Sequence, residues 1–470
     1  MAALEPPAAA PTGADRPNLV LALACVGTIL ATLDLFVVSV ALPSIGRAFP
    51  DASLSDLSWI LNSYAIVYAA LLVFMGRLAE RFRRDRSYLS GIALFTLGSA
   101  GCALSVNVPM ILSFRVVEAI GAALMTPTSL GLVLAAFEPS RRSGAARLWS
   151  AIGGFAGAFG PVIGGVLLIF GWQWVFLVNV PIGLVAIVIG MRVLPAIPGQ
   201  DVPWPDLIGA LLATAGVALW IFGLITAGTQ GWTATGAWSG MAAGLVLLVI
   251  FALHCLRAKR PLIEPALFRN RTFTAATLGL LPFMIAFGAF LVSRVTWEQT
   301  AWGWSPFRTG LILAPGRFLV PLTSMFVAGR LIERIGAPAV ICMGLATFAL
   351  SQAITALGYG LTPSIAASLS AAVLSGIGVG LALPTLMGTG AGALPAAYFS
   401  TGSAVLNMIR QVGMAMGIAL LVAIAGQPAA TETALSAFHM AWLLIAACAL
   451  VGMLPVLGIA RRRPEQPLAG

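Results

Sequence analysis

Hydrophobic residues run through this chain in long blocks, not in the short alternations of a soluble fold. The stretch TILATLDLFVVSVALP, Thr28 to Pro43, holds one charge, Asp34, in sixteen residues. A helix needs about 20 mainly apolar residues to cross a bilayer. Fourteen blocks reach that length, at roughly 19–42, 56–76, 87–106, 109–136, 145–170, 173–194, 206–228, 237–256, 273–297, 307–329, 338–357, 362–388, 401–425 and 436–460. Most are bounded by Pro, Gly or charge. The pattern predicts an all-α integral membrane protein with fourteen transmembrane helices.

Composition narrows the picture. Of 470 residues, 59% are hydrophobic and 9% charged, where soluble domains carry roughly 25% charged residues. The 51 glycines exceed the usual share of about 7%, as expected where transmembrane helices pack closely. The five cysteines lie in or beside apolar runs without a CxxC spacing, and read as small buried hydrophobes. Two histidines, His254 and His439, make a His-based metal site an unpromising expectation. Residues 1–17 are Ala/Pro-rich with no signal-peptide pattern, and are expected to be a disordered cytoplasmic tail.

The net charge of +10 follows topology. With the amino terminus placed in the cytoplasm, twenty basic residues fall inside, including Arg77, Arg81, Arg83, Arg84, Arg86 and the connector set Arg257 to Arg271. Only Arg47 and Arg308 fall outside, while Arg115, Arg294, Arg317 and Arg410 lie within spans. This is a positive-inside bias, which predicts a plasma (inner) membrane protein with both termini cytoplasmic and no nucleic-acid partner.

Two stretches nearly repeat. GRLAERF at Gly76 returns as GRLIERI at Gly329, an offset of 253, and IGAALMTPT at Ile120 returns as IGVGLALPT at Ile377, an offset of 257. These matches predict a duplicated six-helix unit. Eight spans separate the first pair where a plain duplication gives six, so two helices are inserted between the halves. The expected units are a tail (1–17), an N-terminal bundle (18–195), two inserted helices (196–260), a cytoplasmic connector (261–272), a C-terminal bundle (273–460) and a tail (461–470).

LDLFVVSVALPSI (Leu33 to Ile45), GRLAERFRRDR (Gly76 to Arg86), RVVEAIGAA (Arg115 to Ala123), Gly160-Pro161 with Gly164-Gly165, and WQWVFLVNVPIG (Trp172 to Gly183) occur in one order along the chain. Together they resemble the major facilitator superfamily, in its fourteen-span drug:proton antiporter branch. Glu80, Arg83 and Glu118 stand where that pattern usually has Asp, Gly and Gln. The resemblance implies two six-helix repeats plus two inserted helices, and a proton-coupled efflux transporter exporting hydrophobic or amphiphilic compounds such as drugs or antibiotics by alternating access. It implies an inter-helix charge latch at the cytoplasmic gate, made by Gly76, Arg77, Glu80 and Arg81. Gly329, Arg330 and Glu333 would be the weaker counterpart in the second half.

Helix rise places Asp34 roughly 12 Å from the outer end of its span, with Arg115 and Glu118 roughly 9 and 13 Å deep on the fourth. An ionisable group inside a membrane costs about 2.5–3.5 kcal/mol on insertion scales, so it is normally paired or lines water. Burial disfavours a carboxylate and a neighbouring guanidinium favours it, and the opposition suits a proton carrier. Asp34 is therefore the candidate proton-coupling residue, with Arg115 biasing it. The bland alternative is a hydrogen bond to a neighbouring helix. Arg115 and Glu118, three apart, would alternatively close into a pair and leave Asp34 as the single free carrier.

Gly153, Gly157, Gly160, Pro161, Gly164 and Gly165 line the fifth span at spacings mostly of three and four, which suits close helix approach and a proline kink at a contact between the halves. Phe36, Trp59, Tyr64 and Phe155 are aromatic candidates for a substrate cavity, against lipid-facing or core packing. Arg317 and Arg410, deep cations with no carboxylate nearby in sequence, are further cavity candidates that would attract an anionic group or pair with an acidic partner; with Arg294 they would suit an anionic or amphiphilic cargo of a dedicated exporter. Trp297, Trp302 and Trp304 suggest an interfacial belt.

No GxxxxGK[ST] occurs, so a nucleotide-driven pump has no motif to stand on. The expected partners are a small-molecule substrate, protons and the lipid bilayer, with no cofactor beyond the proton gradient and a functional monomer. Alternatives are a dedicated exporter of one metabolite or lipid, or, outside transport, a membrane-embedded enzyme or sensor. Against the last two, the sequence has no clustered His/Asp/Glu constellation and no soluble signalling domain.

Overall fold

Short polar residues mark where the helices begin. Ser53 accepts from the Asp56 N–H while the Asp56 carboxylate accepts from the Ser53 N–H, a reciprocal cap that satisfies two orphan donors. Asn107, Asp206, Asn270, Ser305, Ser364 and Thr431 cap six further helices singly. A computed structural model describes residues 16–199, 204–394, 396–425 and 431–460, apart from some helical side chains, that of Glu80 among them. The two terminal tails expected from the sequence lie almost wholly outside the described residues, and Pro17 already opens the first helix.

Among the described residues the helices group into fourteen segments. The N-terminal six are α1 (Pro17–Ala48), α2 (Leu54–Arg81), α3 (Arg84–Ala103), α4 (Val108–Ala136), α5 (Pro139–Phe170) and α6 (Trp174–Val193, interrupted at Val178). Next come α7 (Leu207–Gln230) and α8 (Thr235–Arg257), then a connector with a 3-10 turn at Pro265–Arg269. The rest are α9 (Arg271–Thr300), α10 (Pro306–Ile335, with a π-helical stretch at Thr323–Ala328), α11 (Ala337–Gly358), α12 (Ile365–Gly392), α13 (Ala396–Ala425) and α14 (Glu432–Gly458).

Among the described residues, twelve of these are long and apolar enough to cross a membrane, not the fourteen that the sequence suggested. The exceptions are α3 and α5. The first opens on Arg84, Asp85 and Arg86 and is rich in Gly, Ser and Thr; the second begins in the basic segment Pro139 to Arg147, and its described apolar part is Phe159–Phe170.

The two copies of the repeat at Ile120 and Ile377 form the same helix crossing. Gly121 of α4 lies against Gly91 and Phe95 of α3, so closely that a Cβ there would stand 2.5 Å from the Phe95 nitrogen. Gly378 of α12 lies in the same way against Gly344 and Phe348 of α11, with a Cβ 2.6 Å from the Phe348 nitrogen. The inserted pair packs against itself through Gly223, Gly240 and Gly244. It covers the seam where α2 meets α13, in a cluster that joins Ala65 and Ile66 to Val217, Ile221, Ala415 and Val422.

Asp206 ties that pair to the connector. Its carboxylate accepts from the Gly209 N–H at 2.8 Å and the Leu262 N–H at 2.9 Å, and meets His254 Nε2 at 3.0 Å. Burial pushes the Asp206 carboxyl up, but the Gly209, His254 and Leu262 hydrogen bonds outweigh that and hold it below the usual carboxylate range.

Three expectations follow from this packing. Gly121→Ala and Gly378→Ala each force backbone apart and lower stability by about 1–3 kcal/mol. Gly329→Ala, at a position with no neighbour within 4 Å, is neutral or slightly stabilising because Ala is the better helix former. Thermal unfolding in detergent ranks the three. Because the Asp206 carboxyl is depressed, the stability it contributes is present above the ordinary aspartate value of about 3.9 and is lost as pH falls below it. Acid unfolding of Asp206→Asn beside the wild type checks this, since the variant lacks that component.

Candidate functional site

Five helices converge on one buried guanidinium. Arg115 of α4 donates from Nη1 to Asp34 Oδ2 of α1 at 2.5 Å and to Glu118 Oε2 at 2.7 Å, and all three side chains are 0% exposed. Its Nε donates to the Ile60 carbonyl of α2 at 3.0 Å, and the guanidinium lies 4.3 Å over the Tyr64 ring. The Ser99 hydroxyl of α3 donates to Glu118 Oε1, and Asn179 of α6 donates to Ser99 at 3.1 Å. Gly98 makes room, since a Cβ there would lie 2.5 Å from Glu118 Cγ.

Asp34, Arg115 and Glu118 are thus brought together, but not as the closed Arg115–Glu118 pair that would leave Asp34 free. The correction has a simple cause: one Nη1 reaches both carboxylates. With both acids ionised the trio carries a net charge of −1, and one proton neutralises it. Asp34 Oδ1 and Arg115 Nη2 are buried with no hydrogen-bond partner, so the site keeps unused polar capacity.

A second buried charge pair lies in α9. Arg294 donates to the Tyr359 hydroxyl at 3.0 Å and to the Ser368 carbonyl at 2.6 Å, and it lies 3.5 Å from Glu298. Tyr359 and Ser368 also donate to Glu298 Oε1, at 2.6 and 2.7 Å. The tryptophans beside it are not an interfacial belt. Trp297, Trp302 and Trp304 are at most 7% exposed. The indole N–H groups of Trp297 and Trp302 are spent on the Gly360 carbonyl, and the Trp302 ring packs 4.5 Å from Tyr359.

The gate residues divide. A Cβ at Gly76 would meet Pro127 of α4 at 3.5 Å, an ordinary contact, so that crossing does not depend on glycine. Arg77 pairs with Glu264 of the connector at 3.0 Å. Arg81 lies over the Trp204 ring at 5.0 Å, while the expected role of Glu80 falls on a side chain outside the described residues. In the second-half set, Gly329 has open space around it, Arg330 donates back to the Phe326 carbonyl, and Glu333 is exposed with no ion pair among the described residues.

The small-residue face of α5 also divides. Gly153, Gly157, Gly160 and Gly164 pack on Thr28, Thr32, Phe36 and Val37 of α1, within the same half. Pro161 and Gly165 alone face α10 of the other half, against Gly310 and Phe307. Phe36 is therefore held by α5 on one side, while the Arg317 guanidinium lies 5.5 Å over its ring. Tyr64 is buried beneath Arg115 and stacks on Tyr68 at 5.7 Å. Trp59 packs into the α2, α7 and α13 cluster, and Phe155 is half-buried on α5. Arg410 of α13 comes within electrostatic reach of Tyr68 and Tyr64.

The sequence signature of the Major Facilitator Superfamily matches residues 24–418. The chain belongs to this family. It is 36% identical over 317 residues to a methylenomycin A resistance protein of Bacillus subtilis (strain 168), covering 67% of this chain and 66% of that one. It is 34% identical over 345 residues to a tetracenomycin C resistance and export protein of Streptomyces glaucescens, covering 72% and 62%. A cephamycin export protein of Amycolatopsis lactamdurans is 32% identical over 467 residues, covering 94% and 93%. The chain thus spans just under two thirds of the first two relatives and nearly all of the third. Among solved structures, a peptide transporter POT in complex with sulfate superposes with a TM-score of 0.70 at 15% identity, over 95% of this chain and 94% of that one, which shows a shared major facilitator fold.

Several participants escaped sequence reasoning. Ser99 and Asn179 were single polar residues inside apolar runs, the one available signal, and Glu264 and Tyr359 gave none that spacing would reveal. The testable consequence concerns Arg115. Arg115→Ala strands two fully buried carboxylates and destabilises by about 3–5 kcal/mol. Adding Asp34→Asn to that variant recovers part of the loss, because one stranded charge is gone. A double-mutant cycle by thermal unfolding measures both.

Proposed function

We propose that this chain is a proton-coupled exporter of hydrophobic or amphiphilic compounds such as drugs or antibiotics, working by alternating access. The observation that carries the reading is the fully buried Asp34–Arg115–Glu118 trio, one positive charge between two negative ones. A membrane-embedded acid whose charge is not fully neutralised is a functional-site candidate by default, and a carboxylate there suits a proton carrier. The names of three relatives, all antibiotic resistance or export proteins, point the same way.

In this reading Asp34 and Glu118 are the exchangeable acids, and Arg115 stays charged between them. When one acid is protonated, Arg115 stays with the other, and Tyr64 moves with the guanidinium that lies on it. Ser99 and Asn179 hold Glu118 in place. Arg77 and Glu264 fasten α2 to the connector on the basic face, and Pro161 with Gly165 forms the α5–α10 contact about which the halves rock. The remaining parts of the reading are fourteen spans, a plasma (inner) membrane location, both termini cytoplasmic and a functional monomer needing no cofactor. A dedicated exporter of one antibiotic is the second reading, favoured by relatives that are each named for a single compound.

Purified protein in lightly buffered detergent releases protons when cargo binds, and Asp34→Asn abolishes the release while keeping its thermal unfolding transition. Binding to the wild type without any proton release removes the antiport mechanism.

A further inference from the structure

Buried arginines in this protein fall into two groups. Among the described residues, the membrane interior holds three buried carboxylates, Asp34, Glu118 and Glu298. Asp34 and Glu118 are bound to Arg115, and Glu298 is bound to Arg294. Nothing negative is left for Arg317 and Arg410.

Both stand in the middle of their helices. Arg317 is eleven residues from the start of α10 and Arg410 fourteen from the start of α13, so each lies about 16 Å or more from either helix end. A hydrocarbon core is about 30 Å thick, which puts both beyond the reach of lipid phosphates at its faces. An unpaired cation at that depth is expensive and is kept where something charged passes it.

The side chains are held in a way that leaves their donors available. Arg317 lies over two rings, Phe36 of α1 at 5.5 Å and Phe290 of α9 at 5.2 Å, with no hydrogen bond or ion pair. Stacking uses the faces of a guanidinium and leaves its in-plane N–H fork free for a carboxylate. It borders a recess lined by Phe290, Gly316, Ser375 and Val379, apolar apart from the Ser375 hydroxyl and the already balanced Arg294. Arg410 Nε is likewise buried with no hydrogen-bond partner among the described residues. Arg317 belongs to the second half and faces an aromatic side chain of the first, Phe36.

We propose that Arg317 forms an anion-recognition site where α10 meets α1 and α9, and that the exported cargo is an aromatic or otherwise apolar molecule carrying a carboxylate. The carboxylate takes the guanidinium fork, and Phe36 and Phe290 take the apolar body. This rests on the efflux reading above and names its substrate class.

Full-length protein in nanodiscs, titrated with pyrenebutyrate, its methyl ester and tetraphenylphosphonium by tryptophan quenching, tests the site. The wild type prefers the carboxylate to the ester by about tenfold or more, the scale of hydrogen bonds to a charged group. Arg317→Gln loses most of that preference, with ester binding held within about twofold. Equal binding of acid and ester by the wild type overturns the proposal, as does a preference that survives in Arg317→Gln. If a variant does not fold, the wild-type comparison of acid with ester still decides. Proteoliposomes with an imposed pH gradient separate the two readings. Carboxylate preference without proton-driven transport keeps the anion site and removes efflux. Proton-driven transport of tetraphenylphosphonium with no carboxylate preference keeps efflux and overturns the site.

Discussion

The N-terminal bundle is organised around one guanidinium that two carboxylates share in a dry interior. Arg115 draws α1 and α4 together through Asp34 and Glu118, takes the Ile60 carbonyl from α2, and sits on the Tyr64 ring. In a low-dielectric setting such a trio holds only while its geometry is kept, because a charge that loses its partner there is costly. The same property makes it responsive. A proton, the smallest change available, alters the balance of the trio by a full charge, and the five helices that meet there all feel the result.

Glycine makes this arrangement possible by letting backbones touch. Gly98 admits Glu118, and the α3–α4 and α11–α12 crossings are closed by Gly91 with Gly121 and by Gly344 with Gly378. On α5 the small residues do two jobs that the sequence presents as one. Four of them seat α1, while Pro161 and Gly165 meet α10 across the seam. The inserted pair α7 and α8 lies over the other seam, where α2 meets α13, and Asp206 fastens its basic-face end to the connector. One seam is therefore sheathed, and the other is bare helix against helix.

Charge is unevenly divided between the halves. The first half carries a surplus carboxylate beside Arg115, while the second carries two cations, Arg317 and Arg410, beyond its own Arg294–Glu298 pair. An aromatic ring of the first half, Phe36, faces Arg317. Any movement of the halves changes what these charges see, which is the physical form that coupling between a proton and a cargo takes.

Hydrophobic blocks, basic loops and the two internal repeats determined the helix order, the inserted pair and the likeness to a transporter family, because those features are written one-dimensionally in length, charge and offset. The depth of Asp34, Arg115 and Glu118 was legible for the same reason: helix rise converts residue number into distance. What each side chain touches was decided by tertiary structure alone. Rotation of one helix against another settles whether Arg115 closes on Glu118 or spans both acids. It likewise buries Trp297, Trp302 and Trp304 under Tyr359 and Trp442 where composition suggested a membrane edge. The pairing of Arg77 with Glu264 joins residues 187 apart in the chain, and Gly329 has open space around it where its counterpart Gly76 faces Pro127. A motif specifies which groups are present, whereas their partners depend on the rotation and approach of helices packed by residues far away in sequence.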